Sequence, residues 1–125
     1  MKRLLHKLLG DRGERAAARY LRRQGYRILA RSYRCQYGEI DLIAKDGRQI
    51  VFVEVKTRSG TQCGQPFEAV NRLKQQKLTQ LALFWLKAHR RLHESARFDV
   101  VSVIWLPGSR QPQIDHFRHA FEATS

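Results

Sequence analysis

Asp46-Gly47 stands between two apolar stretches, and that dipeptide limits the fold more than any other feature of the chain. Glycine tolerates the positive φ of a type I′ turn, so the two stretches read as β-strands joined by a two-residue hairpin. Ile40, Leu42 and Ile43 supply the first strand, and Ile50, Val51, Phe52, Val53 and Val55 the second. The second run is nearly continuous and β-branched, which suits a strand buried on both faces.

Glu54 and Lys56 interrupt that run. They lie two apart, so they share a face, with Cα atoms about 6.6 Å apart. Burying a carboxylate and an ammonium costs several kcal/mol unless they are paired or bound to something. Asp41 sits five residues before the turn and Glu54 seven after it. Strand pairing therefore brings the two carboxylates near one another, within a residue or two of register. Two carboxylates and a lysine at one edge of a sheet can hold a hard divalent cation, and oxygen ligands suit Mg²⁺ or Mn²⁺. The alternative is a simple Glu–Lys ion pair where the sheet meets solvent.

The 125 residues suit one domain, and 42% hydrophobic residues are enough for a core. Against 11 Asp+Glu the chain carries 24 Lys+Arg, a net charge of +13. Such an excess points to a polyanion, first a nucleic acid and second an anionic membrane surface. Residues 1–34 hold 11 of the basic residues and only 2 acidic ones, so the charge concentrates at the start of the chain. Cys35 and Cys63 form no CxxC and are too few for a zinc site or a disulfide scaffold. Reduced thiols, and hence a cytoplasmic location, follow. No apolar run approaches the length of a membrane span. The opening Met1–Gly10 is broken by His6 and Lys7, which argues against a secretory signal and for a short basic extension. No stable membrane association is expected.

The remaining elements follow in order. Residues 11–25 read as a helix, with Asp11 as N-cap, Glu14 three residues on, and Gly25 as the stop. By spacing alone Glu14 is either a first-turn acid favoured by the helix dipole or a ligand reaching the sheet. Residues 26–34 read as a strand. Residues 58–67 have loop composition and serve as a connector or a flap. A second helix is expected from about Glu68 to His89, with Trp85 in the core. Phe98–Trp105 reads as a buried strand, Pro107-Gly108 as a turn, 113–118 as a short edge strand, and 120–125 as a frayed tail. Arg97 and Asp99 read as a local pair at a strand start. The second helix can carry the chain across to a parallel strand, giving an α/β fold with a mixed sheet between helices.

Glu14, then Asp41, then Glu54-Val55-Lys56, on an α-β-β-β-α-β order, resembles the PD-(D/E)XK nuclease superfamily. The strings Gly13-Glu-Arg-Ala-Ala, Gly38-Glu-Ile-Asp-Leu-Ile and Phe52-Val-Glu-Val-Lys-Thr-Arg58 resemble the YraN family of small bacterial proteins. So do Lys74-Gln75 and Arg97-Phe98-Asp99. That family is uncharacterised and is similar to archaeal Holliday-junction resolvases.

The resemblance implies a restriction-endonuclease-like core and a role for each matched residue. Asp41 and Glu54 are implied metal ligands, joined by the Val55 carbonyl. Lys56 is implied to position or deprotonate the attacking water, and Glu14 to assist the metal. Glu39 points the same way as Asp41 and is an accessory ligand or a lysine partner. Arg58 and Lys74 match family positions that could contact phosphates. Arg15 and Arg19 join them as expected nucleic-acid contacts, on their place in the basic helix. The superfamily's proline is absent, with Ile40 before Asp41. The implied activity is Mg²⁺- or Mn²⁺-dependent hydrolysis of phosphodiester bonds, most simply in branched DNA, by a homodimer. A basic nucleic-acid-binding protein without catalysis is the alternative. No Ser-His-Asp arrangement is present, and the five histidines show no metal-ligand spacing.

Overall fold

The computed structural model describes residues 2–59 and 70–124, with residues 2, 3, 5 and 6 described by their backbone alone. The elements are α1 (Lys2–Arg23), β1 (Arg27–Cys35), β2 (Gly38–Asp46), β3 (Gln49–Ser59), α2 (Arg72–Ala88), β4 (Ala96–Trp105) and β5 (Gln113–Phe121). The strands form one sheet in the order β1-β2-β3-β4-β5. Only β3 and β4 run parallel, and α2 is the crossover between them. The expected mixed sheet and α-β-β-β-α-β order are present, with β5 added at the edge. They fit a restriction-endonuclease-like core.

Burial explains the layering. Along β3 the side chains alternate between two cores. Ile50 and Phe52 join Leu78, Leu81 and Trp85 of α2, while Val51 and Val53 join Ala17 and Leu21 of α1. Both sheet faces are covered, so β3 is apolar and buried from Ile50 to Val53, as its sequence requires. Alanines 16, 17 and 18 let α1 approach the sheet closely.

Several boundaries differ from the expectation. The first helix begins at Lys2 rather than at residue 11, so residues 2–10 are its opening turns and not a separate extension. Asp11 is therefore inside the helix and caps nothing. Lysines and leucines propagate helix well, and the lone Gly10 is too weak to stop it. The helix does end where expected. Tyr26 N–H donates to Leu21 O (2.9 Å) and Gly25 N–H to Arg22 O (3.0 Å), with Gly25 at φ +92, a Schellman motif.

Asp46 pairs with Gln49, so the hairpin loop is Gly47-Arg48, one residue later than expected. Positive φ falls on Gly47 alone of the two (φ 61), the pattern of a type II′ turn rather than type I′. Helix α2 starts at Arg72 behind an Asn71 cap, whose side chain accepts from Lys74 N–H. The expected start at Glu68 lies outside the described residues, as do Cys63 and residues 60–67 of the proposed flap. Arg58 and Ser59 belong to β3. The tail is less frayed than expected: Ala120 and Phe121 belong to β5, and Thr124 N–H donates to Thr79 Oγ1 at 3.1 Å. Among the described residues no helix is long and apolar enough to cross a membrane.

Candidate metal centre

Strands β1 and β2 turn over together at one point. Ala30 and Tyr33 pack into the α2-side core although they are three apart, and so do Ile40 and Ile43. An odd spacing on one face requires a break in the two-residue alternation. Ser32, between Ala30 and Tyr33, takes φ 49 and marks that break. Asp41 lies at the matching place in β2.

The β2–β3 ladder runs from Asp46↔Gln49 to Leu42↔Val53. Asp41 is the next residue along β2, and its Oδ2 accepts the Val55 N–H at 2.8 Å. The carboxylate thus sits in a fork between the two strands, substituting for a backbone carbonyl. The expectation that pairing brings the two carboxylates together within a residue or two is met, because one further step places Asp41 opposite Glu54.

Helix α1 brings Glu14 to this fork. It can approach because residue 13 is glycine: a Cβ there would overlap the Thr57 side chain of β3. Ser32 Oγ donates to Glu14 Oε1 at 2.8 Å. Oxygens of Glu14, Glu39 and Asp41 lie within 4.8 Å of one another. Glu39 does share the direction of Asp41, and its ion pair is with Arg34 (3.5 Å) rather than a lysine.

Glu54 reaches Asp41 from the other side. It faces α2, is 7% exposed, and its Oε1 lies 3.5 Å from both Lys56 Nζ and Lys74 Nζ. The Glu54–Lys56 pair expected from their spacing is present. Arg58 lies two residues further along β3, and its Nε is buried without a hydrogen-bond partner among the described residues. Arg15 borders the recess formed by Asp11, Glu14 and Ser32, whereas Arg19 lies further along α1, away from it.

The electrostatics are unusual for so basic a protein. Burial, then the neighbouring Glu54 carboxylate, push the Asp41 pKa up to about 7. The Val55 N–H pulls it down, while Glu14 and Glu39 push it further up. Burial also raises the Glu14 pKa, against the pull of its Ser32 hydrogen bond. The donors are all carboxylate oxygens, and the central one is desolvated among like charges. Such a set fits a hard divalent cation better than it fits solvent.

Ser32, Gly13 and Arg34 are the contributors that sequence reasoning left without a role. Gly13 alone carried a signal, as part of the Gly13-Glu string. Nothing in the sequence marks the turn-over at Ser32.

The Arg97-Asp99 pair is larger than a local pair. Arg97 Nε donates to Asp99 Oδ1 at 2.9 Å, and its Nη atoms donate to Asp46, Gln49 and Tyr26. Asp99 Oδ2 meets His116 Nε2 at 2.7 Å, and Asp99 Oδ1 accepts the His119 N–H at 3.0 Å. This network ties the hairpin, β4, β5 and Tyr26 of the α1–β1 connection together.

Comparisons with known proteins agree with the motif strings. A protein of Geobacter metallireducens is 48% identical over 119 residues, covering 95% of this chain and 96% of that protein. One of Nocardia farcinica is 51% identical over 113 residues, covering 90% and 88%. Both carry the description UPF0102 protein. The model of the uncharacterised protein family UPF0102 matches residues 13–103, from the glycine that admits α1 nearly to the end of β4, and the chain belongs to that family, the YraN family.

Proposed function

We propose that the protein is a metal-dependent nuclease acting on DNA, and that the fork around Asp41 is its active centre. The crowding of Asp41 by three carboxylates in a chain of net charge +13 carries this reading. A half-buried aspartate crowded by carboxylates gains no stability from that arrangement, in a chain where arginines are abundant.

Asp41 is the central metal ligand, with Glu14 and Glu39 beside it and Glu54 completing the set through β3. A bound Mg²⁺ or Mn²⁺ would polarise a phosphate and lower the pKa of a water. Lys56 stands two residues past Glu54 on the same face, placed to hold a proton or to meet phosphate charge. Lys74 shares the Glu54 carboxylate and brings a second ammonium from α2. Once an incoming phosphate competes for them, both lysines can leave Glu54 free to ligate. Arg58 supplies a further donor beside them. Contacts of this kind read backbone charge and shape rather than bases, which suits a structure-selective endonuclease of Holliday-junction-resolvase type.

Labelled four-way junction, flap, single-strand and duplex DNA, each with Mg²⁺, Mn²⁺ or EDTA, test the reading. Wild type should cut in metal only, and Glu54→Ala and Lys56→Ala should not. Metal-dependent cutting by Glu54→Ala at the wild-type rate would remove Glu54 from the centre. Binding without cutting on all substrates would favour a basic binding protein.

A further inference from the structure

A trough of about 280 Å³ lies between α1 and the β4–β5 connection. Its walls include Arg12, Arg15 and Arg19 from the helix and Arg110 and Pro112 from the connection, with Trp105 among its lining. A second recess continues it past Arg19 to Arg23. The arginines recur every three or four residues, so they form one stripe along the helix. From Arg12 to Arg23 that stripe is about 16 Å long, more than the spacing of neighbouring phosphates on a strand.

Among the described residues none of these five arginines makes an ion pair, although carboxylates elsewhere in the chain are paired. Arg12 is held in place, its guanidinium carbon 4.4 Å from the centre of the Trp105 ring. Clustered like charges repel, and an anion in the trough relieves that repulsion. Arg15 lines this trough and also the recess of Glu14 and Ser32, so the basic track runs into the acidic centre.

We infer that this trough grips the phosphodiester backbone of a single nucleic-acid strand leading to or from the acidic centre. Forked guanidinium groups match phosphate oxygens, and a charged groove that follows one backbone is the usual means of holding a single strand. An anionic membrane is the competing polyanion, and Leu4 and Leu8 are exposed on the same helix. The arginines are exposed, but Arg12, Arg15 and Arg19 face Arg110 and Pro112 across a trough, and a groove with two walls suits one strand better than a flat bilayer. The assignment deepens the nuclease reading and takes from it only the strand's destination. The grip is independent of cutting.

The test is the salt dependence of binding to a fluorescent single-stranded oligonucleotide in EDTA, across about 50 to 200 mM NaCl. For Arg12→Gln/Arg19→Gln/Arg110→Gln the slope of log K against log salt should fall by about 2, at about 0.7 per lost phosphate contact. An unchanged slope overturns the inference. So does a loss seen only with duplex, or only with phosphatidylglycerol vesicles. Should the triple variant not fold, Arg110→Gln alone should lower the slope by about 0.7. A Glu54→Ala chain that still cuts would overturn the centre and leave the slope result standing.

Discussion

Half-buried Asp41 and buried Asp99 lie in one sheet, and their surroundings are opposite. Each lies beside a break in a strand ladder. Each accepts a backbone N–H, from Val55 in one case and His119 in the other. A residue of positive φ stands near each, Ser32 and His119. Asp99 is the more deeply buried, at 0% exposure, yet its pKa is lowered. Burial alone would raise it, and the hydrogen bonds from His116, Arg97 and His119 outweigh that. The Arg97 pKa is raised in turn, Asp99 overcoming the effect of burial. Asp41 has carboxylates where Asp99 has cations, and its pKa goes up. The fold supplies the countercharge for one aspartate and withholds it from the other. The first is part of the scaffold, and the second, on the nuclease reading proposed above, would be neutralised by a bound cation.

The largest expected effect lies at the compensated site. Arg97→Ala should cost about 3–5 kcal/mol in urea unfolding, because it strands the Asp99 carboxylate and removes the tie to Asp46 and Tyr26. A loss under about 1 kcal/mol would show that the two sites are not energetically distinct.

Asp41→Asn should act in the opposite direction. Asn can still accept the Val55 N–H but carries no charge. A raised carboxyl pKa means that the folded state holds a proton the unfolded state has lost. Wild-type stability therefore falls as pH rises from about 3.8 to about 7, by at most about 1.4 kcal/mol per pH unit. Removing the charge should flatten this slope and stabilise the metal-free protein at neutral pH, on the order of 2 kcal/mol, while activity is lost. Denaturant midpoints measured across that window check it. An Asn variant with the wild-type slope would refute the crowding. For Asp99 the sign is reversed. Its contribution is complete above the ordinary carboxyl range and fades as pH falls through its lowered pKa.

Gly13→Ala should cost about 1–3 kcal/mol, since the new methyl meets Thr57 and must lift α1 from β3. The same lift takes Glu14 away from Asp41, so the pH slope should shrink along with stability. Thr57→Ala added to it should restore both only in part, because the Cβ of residue 57 still stands 2.9 Å from the new methyl. If Gly13→Ala is neutral, the close approach is not needed.

The smallest effect belongs to Arg34→Ala. Its ion pair with Glu39 is exposed, and losing it should change stability by less than about 1 kcal/mol. A larger loss would mean that Glu39 depends on Arg34 for its place in the cluster.

Much of the fold was legible because local chemistry and burial agreed. The continuous apolar run of β3 and the Gly25 stop each have one structural solution, and the hairpin brought Asp41 beside Glu54 within the residue or two that its turn allows. Boundaries failed where capping rules compete with propagation, as at Asp11, or where a turn can shift by one residue, as at Gly47-Arg48. Glu14 could not be placed by spacing, because its nearness to Asp41 depends on a long-range contact between Gly13 and Thr57. The extent of the Arg97 network was hidden for the same reason. Its partners Tyr26, Asp46 and His116 are far apart in sequence and share no periodicity.

The most direct measurement is calorimetric titration with Mn²⁺ at about pH 7, in two buffers of different ionisation enthalpy, on wild type and Asp41→Asn. Wild type should bind saturably with proton release, because the ion would displace the proton on Asp41, and the variant should do neither. Equal Mn²⁺ affinity in both chains would contradict this.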